Sequence, residues 1–307
     1  MADLHTTIAG VRLPNPVMPA SGTYEYNDKH EGFFSPSELG AVVNKTVFLN
    51  ERPGNPPPRV CETPCGMLNA IGIPSKGIEY FMKHTLPVMA GYGVPVIVSV
   101  AGDTTQEFVE ISRRVAESGK ADMLELNLSC PNLSHGKEWA QDEHLLSEVL
   151  NAVGPKVGVP LVAKLSPAVT DISKMAKVAE DSGASALSLI NTYKGMMVDI
   201  EQKRPFLGNL TGGLSGPAIL PLAVYAVYRV YDAVSIPIIG MGGVSGANDA
   251  LQLLLAGARA VSVGMYNFVD PMVMKNVVEG IRSYLEVHGF SGVEEIVGLA
   301  HSRGAQQ

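Results

Sequence analysis

Met123-Leu124-Glu125-Leu126-Asn127-Leu128-Ser129-Cys130-Pro131-Asn132 alternates apolar and polar residues until it meets a cysteine and a proline. Read as a β-strand, it places Leu124, Leu126 and Leu128 on one face and Glu125, Asn127 and Ser129 on the other. Polar side chains on an inward face near a strand end are costly unless they are paired or serve a site. Pro131 biases Cys130 toward an extended conformation. A lone cysteine is more often inert and buried than reactive. Here the polar face leading up to Cys130 tips the balance toward a functional thiol.

Seven further short apolar runs share this character: Pro16 to Ala20, Val42-Val43, Val96 to Val98, Leu161 to Leu165, Ala186 to Ile190, Ile236 to Ile239 and Ala260 to Val263. Bounded by Gly, Pro or polar residues and mostly apolar on both faces, they read as parallel strands covered on both sides. Helical patterns lie between most of them. Thr104 to Glu107 reads as a capping box for a helix toward Ser118, stopped by Gly119. Asp142 opens a helix ending near Val153, and Asp171 caps one over Ile172 to Ser182. Asn248 or Asp249 begins Ala250 to Ala256, and Asp270-Pro271 opens a last helix to about His288. Leu4 to Leu13 reads as a hairpin turning at Ala9-Gly10, a floor for a barrel. Eight βα units predict a single (β/α)8 TIM barrel domain over residues 1–307, with a doubly wound sheet as the alternative. Two insertions, Phe48 to Ser75 and Tyr193 to Gly216, exceed ordinary connections and follow strand C-termini, where barrels keep their chemistry.

The 307 residues carry 23 Lys plus Arg against 30 Asp plus Glu, a net charge of −7 that argues against nucleic-acid binding. Apolar residues make up 46%, enough for a large aliphatic core. Three cysteines, Cys61, Cys65 and Cys130, are too few for a disulfide scaffold. No signal-peptide pattern is visible at Met1 to Thr7, and the most apolar stretch, Pro221 to Val234, is broken by Arg229 and Asp232. The expectation is a soluble cytoplasmic protein without membrane contact.

Lys45 ends the second strand and Lys164 the fifth. A lysine at a barrel strand end is either a snorkelling rim residue or a partner for an anion. Two of them suggest an anionic ligand, and both would favour a nearby thiolate. Asn69, Asn127 and Asn191, with Thr192, offer amide and hydroxyl groups to a ligand with amide-like edges, although each alone is weak evidence. Gly240-Met241-Gly242-Gly243 follows the seventh strand and Gly264-Met265 the eighth. Loops at these two places often hold phosphate. The glycines do not form a dinucleotide fingerprint, because Ser245 stands at the third glycine position. Cys61 and Cys65 lack the companions that a zinc or iron–sulfur site needs, and the seven histidines show no ligand spacing, so no metal site is expected.

Several stretches together make the chain resemble the class 1 dihydroorotate dehydrogenases over nearly its full length. They are Asn15 to Thr23, Asn44-Lys45-Thr46, Arg52 to Arg59, Gly66 to Gly72, Asn127 to Asn132 and Gly240 to Gly243. Thr211 to Pro217 resembles the class 1B, NAD-linked catalytic subunit. The resemblance implies an FMN enzyme that oxidises (S)-dihydroorotate to orotate in pyrimidine synthesis. Cys130 would take the C5 proton while hydride passes from C6 to N5 of FMN. Lys45, Asn69, Asn127, Asn191 and Thr192 would bind orotate, with Met67, Leu68, Ala70, Ile71, Gly72 and Ile73 as a wall beside it. Ser21, Lys45, Thr46, Asn127, Lys164 and Ile190 would contact the flavin, and Gly216, Gly242, Gly243, Gly264 and Met265 would surround its phosphate. Two positions depart from the family pattern: Ser99 stands where Asn is expected as a flavin contact, and Met265 where a smaller residue is common. Residues 132 to 137 would form a lid. The resemblance also implies a homodimer, joined into a heterotetramer by a subunit that carries FAD and a [2Fe–2S] cluster and reduces NAD+. The alternatives are a class 1A, fumarate-linked enzyme, an FMN enzyme acting on another dihydropyrimidine, and a non-redox barrel lyase or isomerase for a phosphorylated sugar.

Overall fold

The structure is a computed structural model that describes residues 1–26, 32–129 and 138–301. Eight parallel strands form its centre: β1 (Val17–Pro19), β2 (Val42–Val43), β3 (Val96–Val100), β4 (Met123–Asn127), β5 (Leu161–Lys164), β6 (Ala186–Leu189), β7 (Ile238–Met241) and β8 (Ala260–Val263). Their order in space is β1-β8-β7-β6-β5-β4-β3-β2, so every neighbour in the sheet is a neighbour in sequence except at the β1–β8 seam. The free edges of β1 and β2 meet at Gly40, whose N–H donates to the Val17 carbonyl at 2.7 Å. A Cβ on Gly40 would lie 2.0 Å from the Asn15 carbonyl oxygen, so a side chain there would push the two edges apart. That closure selects the barrel over the open, doubly wound sheet.

Every residue of β3 to β8 is buried, as strands enclosed by helices outside and packing inside must be. Inward-facing positions change character along the barrel axis. At the N-terminal end Met18, Val43, Ile97, Met123, Val162, Ala186, Ile239 and Ala260 pack into one apolar layer. Ile8 and Leu13 seal it from below. They belong to the antiparallel hairpin of Thr6–Ile8 and Val11–Leu13, which turns through Ala9 (φ +49°) and Gly10 (φ +85°). Two positives in succession form the turn that suits strand twist. Two residues further along, the inward positions after β2 and on β3 to β6 become polar: Lys45, Ser99, Glu125, Lys164 and Ser188. The interior therefore has a dry floor and a polar upper half.

The helices over Thr105–Glu117, Glu143–Val153, Ile172–Asp181, Ala247–Leu255 and Val273–His288 match the predicted ones. Thr104 accepts from the Glu107 N–H, yet the Glu107 carboxylate takes the Asp103 N–H, one residue ahead of a reciprocal capping box. Gly246, rather than Asn248 or Asp249, is the N-cap of the Ala247–Leu255 helix, because the Asp249 carboxylate is drawn back to Ser245. Two crossover helices were not marked out in the sequence: Gly77 to Ala90, which passes through a π-helical turn at Phe81–Thr85, and Leu220–Tyr231. The predicted strand at Ile236 starts instead at Ile238. Among the described residues no helix is long and apolar enough to cross a membrane.

The two long insertions join. Tyr193–Gly195, Gly212–Ser215, Gly66–Asn69 and Val60–Thr63 form one four-stranded antiparallel sheet, in that order. The sheet roofs the polar end of the barrel.

Candidate active site

Beneath this roof lies a cavity of about 760 Å³. The loops after β1, β2, β4, β6, β7 and β8 and the end of β5 open into it. They contribute Ser21, Lys45, Thr46, Asn127, Ile190, Asn191, Thr192, Gly242, Gly243, Gly264, Met265 and Lys164. The insertion sheet and its flanks add Asn69, Ile71, Gly72, Ile73 and Gly216. Residues separated by as much as the length of the barrel in sequence thus face one space.

Solvent reaches Lys45 through the open cavity, but the surrounding walls desolvate its ammonium and push its pKa down; Glu25 opposes this by charge. Gly22, at φ +83°, leaves room for that lysine, since a Cβ there would sit 3.2 Å from Lys45 Nζ. Lys164 is buried and donates to Ser21 Oγ at 3.0 Å, with Glu125 at 3.6 Å. The amides are oriented as well. Asn127 Nδ2 donates to Thr46 Oγ1 (3.0 Å), Asn191 Nδ2 to Ser129 Oγ (2.8 Å) and Asn69 Nδ2 to the Gly213 carbonyl (3.2 Å). Asn191 Oδ1 accepts from the Thr192 N–H at 2.8 Å. The site therefore offers two cations and three fixed amides on one side.

On the other side, Gly216 caps the helical stretch that begins at Pro217, and Gly264 caps the turn over Met265–Phe268; neither makes a side-chain capping hydrogen bond. A Cβ on Gly264 would meet nothing nearer than Ala20 Cβ at 3.9 Å, so the missing side chain leaves free space at the cavity wall. Gly242 and Gly243 adopt φ +124° and +80° and pack their backbones against the Leu220–Tyr231 helix. A helix start without a side-chain cap, next to free space as at Gly264, suits a phosphate. The cavity thus matches the needs of FMN: amide and cationic groups for a flavin ring and a glycine-lined end for its phosphate.

Two expectations meet a different placement, that of Ser99 and that of the pair Leu68 and Ala70. Cys130 and the stretch 132 to 137 lie outside the described residues. Ser99 does not line the cavity: it is fully buried, and its hydroxyl is held by Thr46 and Glu125. Ala70 and Leu68 point away from the cavity into a small core of the insertion with Cys61 and Leu207. Strand alternation explains this, since Asn69 between them faces the cavity. Among the described residues no group of His, Cys, Asp and Glu could hold a metal ion; Cys61 is buried and Cys65 exposed, both as free thiols.

Residues 3–285 match the family described as dihydroorotate dehydrogenase. The chain belongs to the dihydroorotate dehydrogenase family. Among its dihydroorotate dehydrogenase relatives, one from Desulforudis audaxviator is 46% identical over 298 residues, covering 97% of each chain. One from Porphyromonas gingivalis is 46% identical over 94% of each. A third, from Anoxybacillus flavithermus, is 43% identical over 99% of this chain and 98% of its own. All three are named dihydroorotate dehydrogenase B (NAD(+)), catalytic subunit. The matched range includes both insertions as well as the eight strands.

Several lining residues are not evident from the sequence: Tyr24, Val60, Ser215, Ile219, Val244, Tyr266 and Phe268. Most are apolar and carry no chemical signature. Ser215, Val244 and Tyr266 each lie within two residues of a glycine loop that was singled out, and that adjacency was the available signal.

Proposed function

We propose that the chain oxidises (S)-dihydroorotate to orotate in pyrimidine synthesis as a single FMN-binding barrel domain, the catalytic subunit of an NAD-linked assembly. The observation that carries this reading is the single cavity in which Lys45, Asn69, Asn127 and Asn191 face the same space as Lys164 and the glycine loops after β7 and β8. The chemistry that FMN would supply here is that of a hydride acceptor for C6 of the substrate. Ser21, Thr46, Lys164 and Ile190 would hold the FMN ring, and Gly216, Gly242, Gly243, Gly264 and Met265 its phosphate. Lys45 attracts the substrate carboxylate, and the asparagines match the donors and acceptors of the pyrimidine ring. Cys130 follows Ser129 directly in the chain and takes the proton from C5 as general base. The roof sheet keeps bulk water from the reacting atoms.

A homodimer, joined by a subunit with FAD and a [2Fe–2S] cluster, would carry electrons from FMN to NAD+; the names of the relatives support the NAD linkage. Anaerobic mixing of the FMN-loaded chain with dihydroorotate tests the chemistry. The native chain is expected to bleach the flavin rapidly, and Cys130→Ala to do so about 10²–10⁴-fold more slowly while still binding FMN. A variant that reduces its flavin at the native rate would refute Cys130 as the base. A chain that takes up no FMN would refute the whole proposal and favour a non-redox barrel.

A further inference from the structure

Below the cavity, four adjacent strands contribute side chains to one polar layer: Ser99 on β3, Glu125 on β4, Lys164 on β5 and Ser188 on β6. Glu125 is its centre. The residue is 4% exposed and does not line the cavity, so it touches no ligand. Ser99 Oγ donates to its Oε1 and Ser188 Oγ to its Oε2, each at 3.0 Å. Lys164 Nζ stands 3.6 Å from Oε1. A buried carboxylate is retained only when it is neutralised and hydrogen-bonded, and this one has both forms of support.

The hydrogen-bond directions follow from the donor inventory. A serine hydroxyl has one proton, and that of Ser99 goes to the carboxylate. Its bond with Thr46 Oγ1, at 2.9 Å, must therefore be donated by Thr46. Thr46 then accepts from Asn127 Nδ2 at 3.0 Å. The chain runs Asn127 to Thr46 to Ser99 to Glu125, each group donating to the next. Its direction fixes the orientation of the Asn127 amide, the nitrogen turned to Thr46 and Oδ1 left for other donors. The same carboxylate stands beside Lys164, which faces the cavity.

We infer that Glu125 is a positioning residue that sets, from beneath, two groups facing the flavin: the charge balance of Lys164 and the orientation of the Asn127 amide. This rests on the FMN reading above. In that reading Lys164 lies by the flavin ring and part of its field is spent on Glu125. Without the carboxylate, the full charge of Lys164 acts on the ring in a poorly screened layer and favours electrons there.

The test is the midpoint potential of bound FMN, measured spectroelectrochemically on the full chain. Glu125→Gln keeps the size and one acceptor oxygen while removing the charge, so only one of the two serine donors retains its acceptor. It is expected to shift the potential to more positive values, with reduced FMN favoured over oxidised FMN about tenfold more than in the native chain, or roughly 30 mV for a two-electron couple. In a Lys164→Met background the shift from Glu125→Gln should shrink, because the carboxylate then has no ammonium to neutralise. If Glu125→Gln does not fold, Glu125→Asp carries the test: it retracts the charge from Lys164 and should shift the potential the same way by less. An unchanged potential in an FMN-loaded variant overturns the inference alone. A shift of equal size in the Lys164→Met background overturns the route through Lys164. A native chain that binds no FMN overturns the inference together with the reading it rests on.

Discussion

Lys45 shows how a single side chain can hold a binding site in readiness. Its ammonium is held by its walls below the usual lysine range, with Glu25 opposing. An anion placed beside it favours the charged form and raises the pKa again. Ligand binding is then linked to proton uptake, with a definite sign. Below the ligand-free pKa of Lys45 the charge is already present and orotate affinity is at its plateau. As pH rises through that pKa, binding must also recruit a proton, and affinity falls by up to about tenfold per pH unit. Orotate titrations of the flavin spectrum between pH 7 and 10 are expected to follow this curve. Lys45→Met should weaken binding by about 1.5–3 kcal/mol at neutral pH and flatten the alkaline limb. A limb that persists in the variant would assign the titration to another group.

Elements are tied to one another by equally local devices. Between the Ile172–Asp181 helix and the approach to β7, Glu180 accepts from the N–H and the hydroxyl of Ser235 and from Lys177 Nζ. Burial pushes this carboxyl up, but the hydrogen bonds from Ser235 and Lys177 outweigh it and bring it down to about 2. A carboxyl lowered on folding contributes stability that is complete above its unfolded pKa, about 4.3, and is lost as pH falls toward 2. Urea unfolding of Glu180→Gln against the native chain is expected to show a deficit of about 1–2 kcal/mol at pH 6 that narrows as the pH approaches 2. The roof depends on close backbone contact instead. A Cβ on Gly213 would fall 2.0 Å from Thr192 Oγ1, and Gly213 is paired with Asn69. Gly213→Ala should therefore cost about 1–3 kcal/mol of strain and shift Asn69 and Thr192 together. Orotate should bind at least tenfold more weakly with FMN affinity kept, since the proposed phosphate end is formed by the loops after β7 and β8; equal loss of both ligands in parallel titrations would count against this division of the cavity.

At the scale of the whole molecule, what could be read in the sequence follows from the range of each interaction. Strand alternation is local, so the eight barrel strands and the inward set of Lys45, Asn127 and Lys164 were legible. Depth along a strand is not: Ser99 has the inward parity of a ligand contact, and only the closed barrel puts Thr46 above it. The roof was illegible for another reason. Gly213 and Asn69 pair across 144 residues, and no local pattern announces such a contact. The helix from Gly77 was hidden by a π turn and by Pro87, which breaks the usual periodicity. One consequence arises only when floor and roof are considered together. The apolar layer formed by Met18, Ile97 and Met123 with their neighbours, sealed by Ile8 and Leu13, leaves no lower entrance among the described residues. On the function proposed above, substrate and a nicotinamide ring would then have to share one opening, under a roof that dihydroorotate would already occupy. Electrons from the flavin are better passed through a protein surface to a second subunit. The chain purified alone and loaded with FMN is therefore expected to be reduced by dihydroorotate within a single turnover yet to reduce NAD+ negligibly, and to gain NAD+ turnover when the FAD and [2Fe–2S] subunit is added. Rapid turnover of the lone chain with fumarate would instead mark it as a self-sufficient homodimer, and rapid turnover with NAD+ would mean that a nicotinamide reaches the flavin through that opening after all.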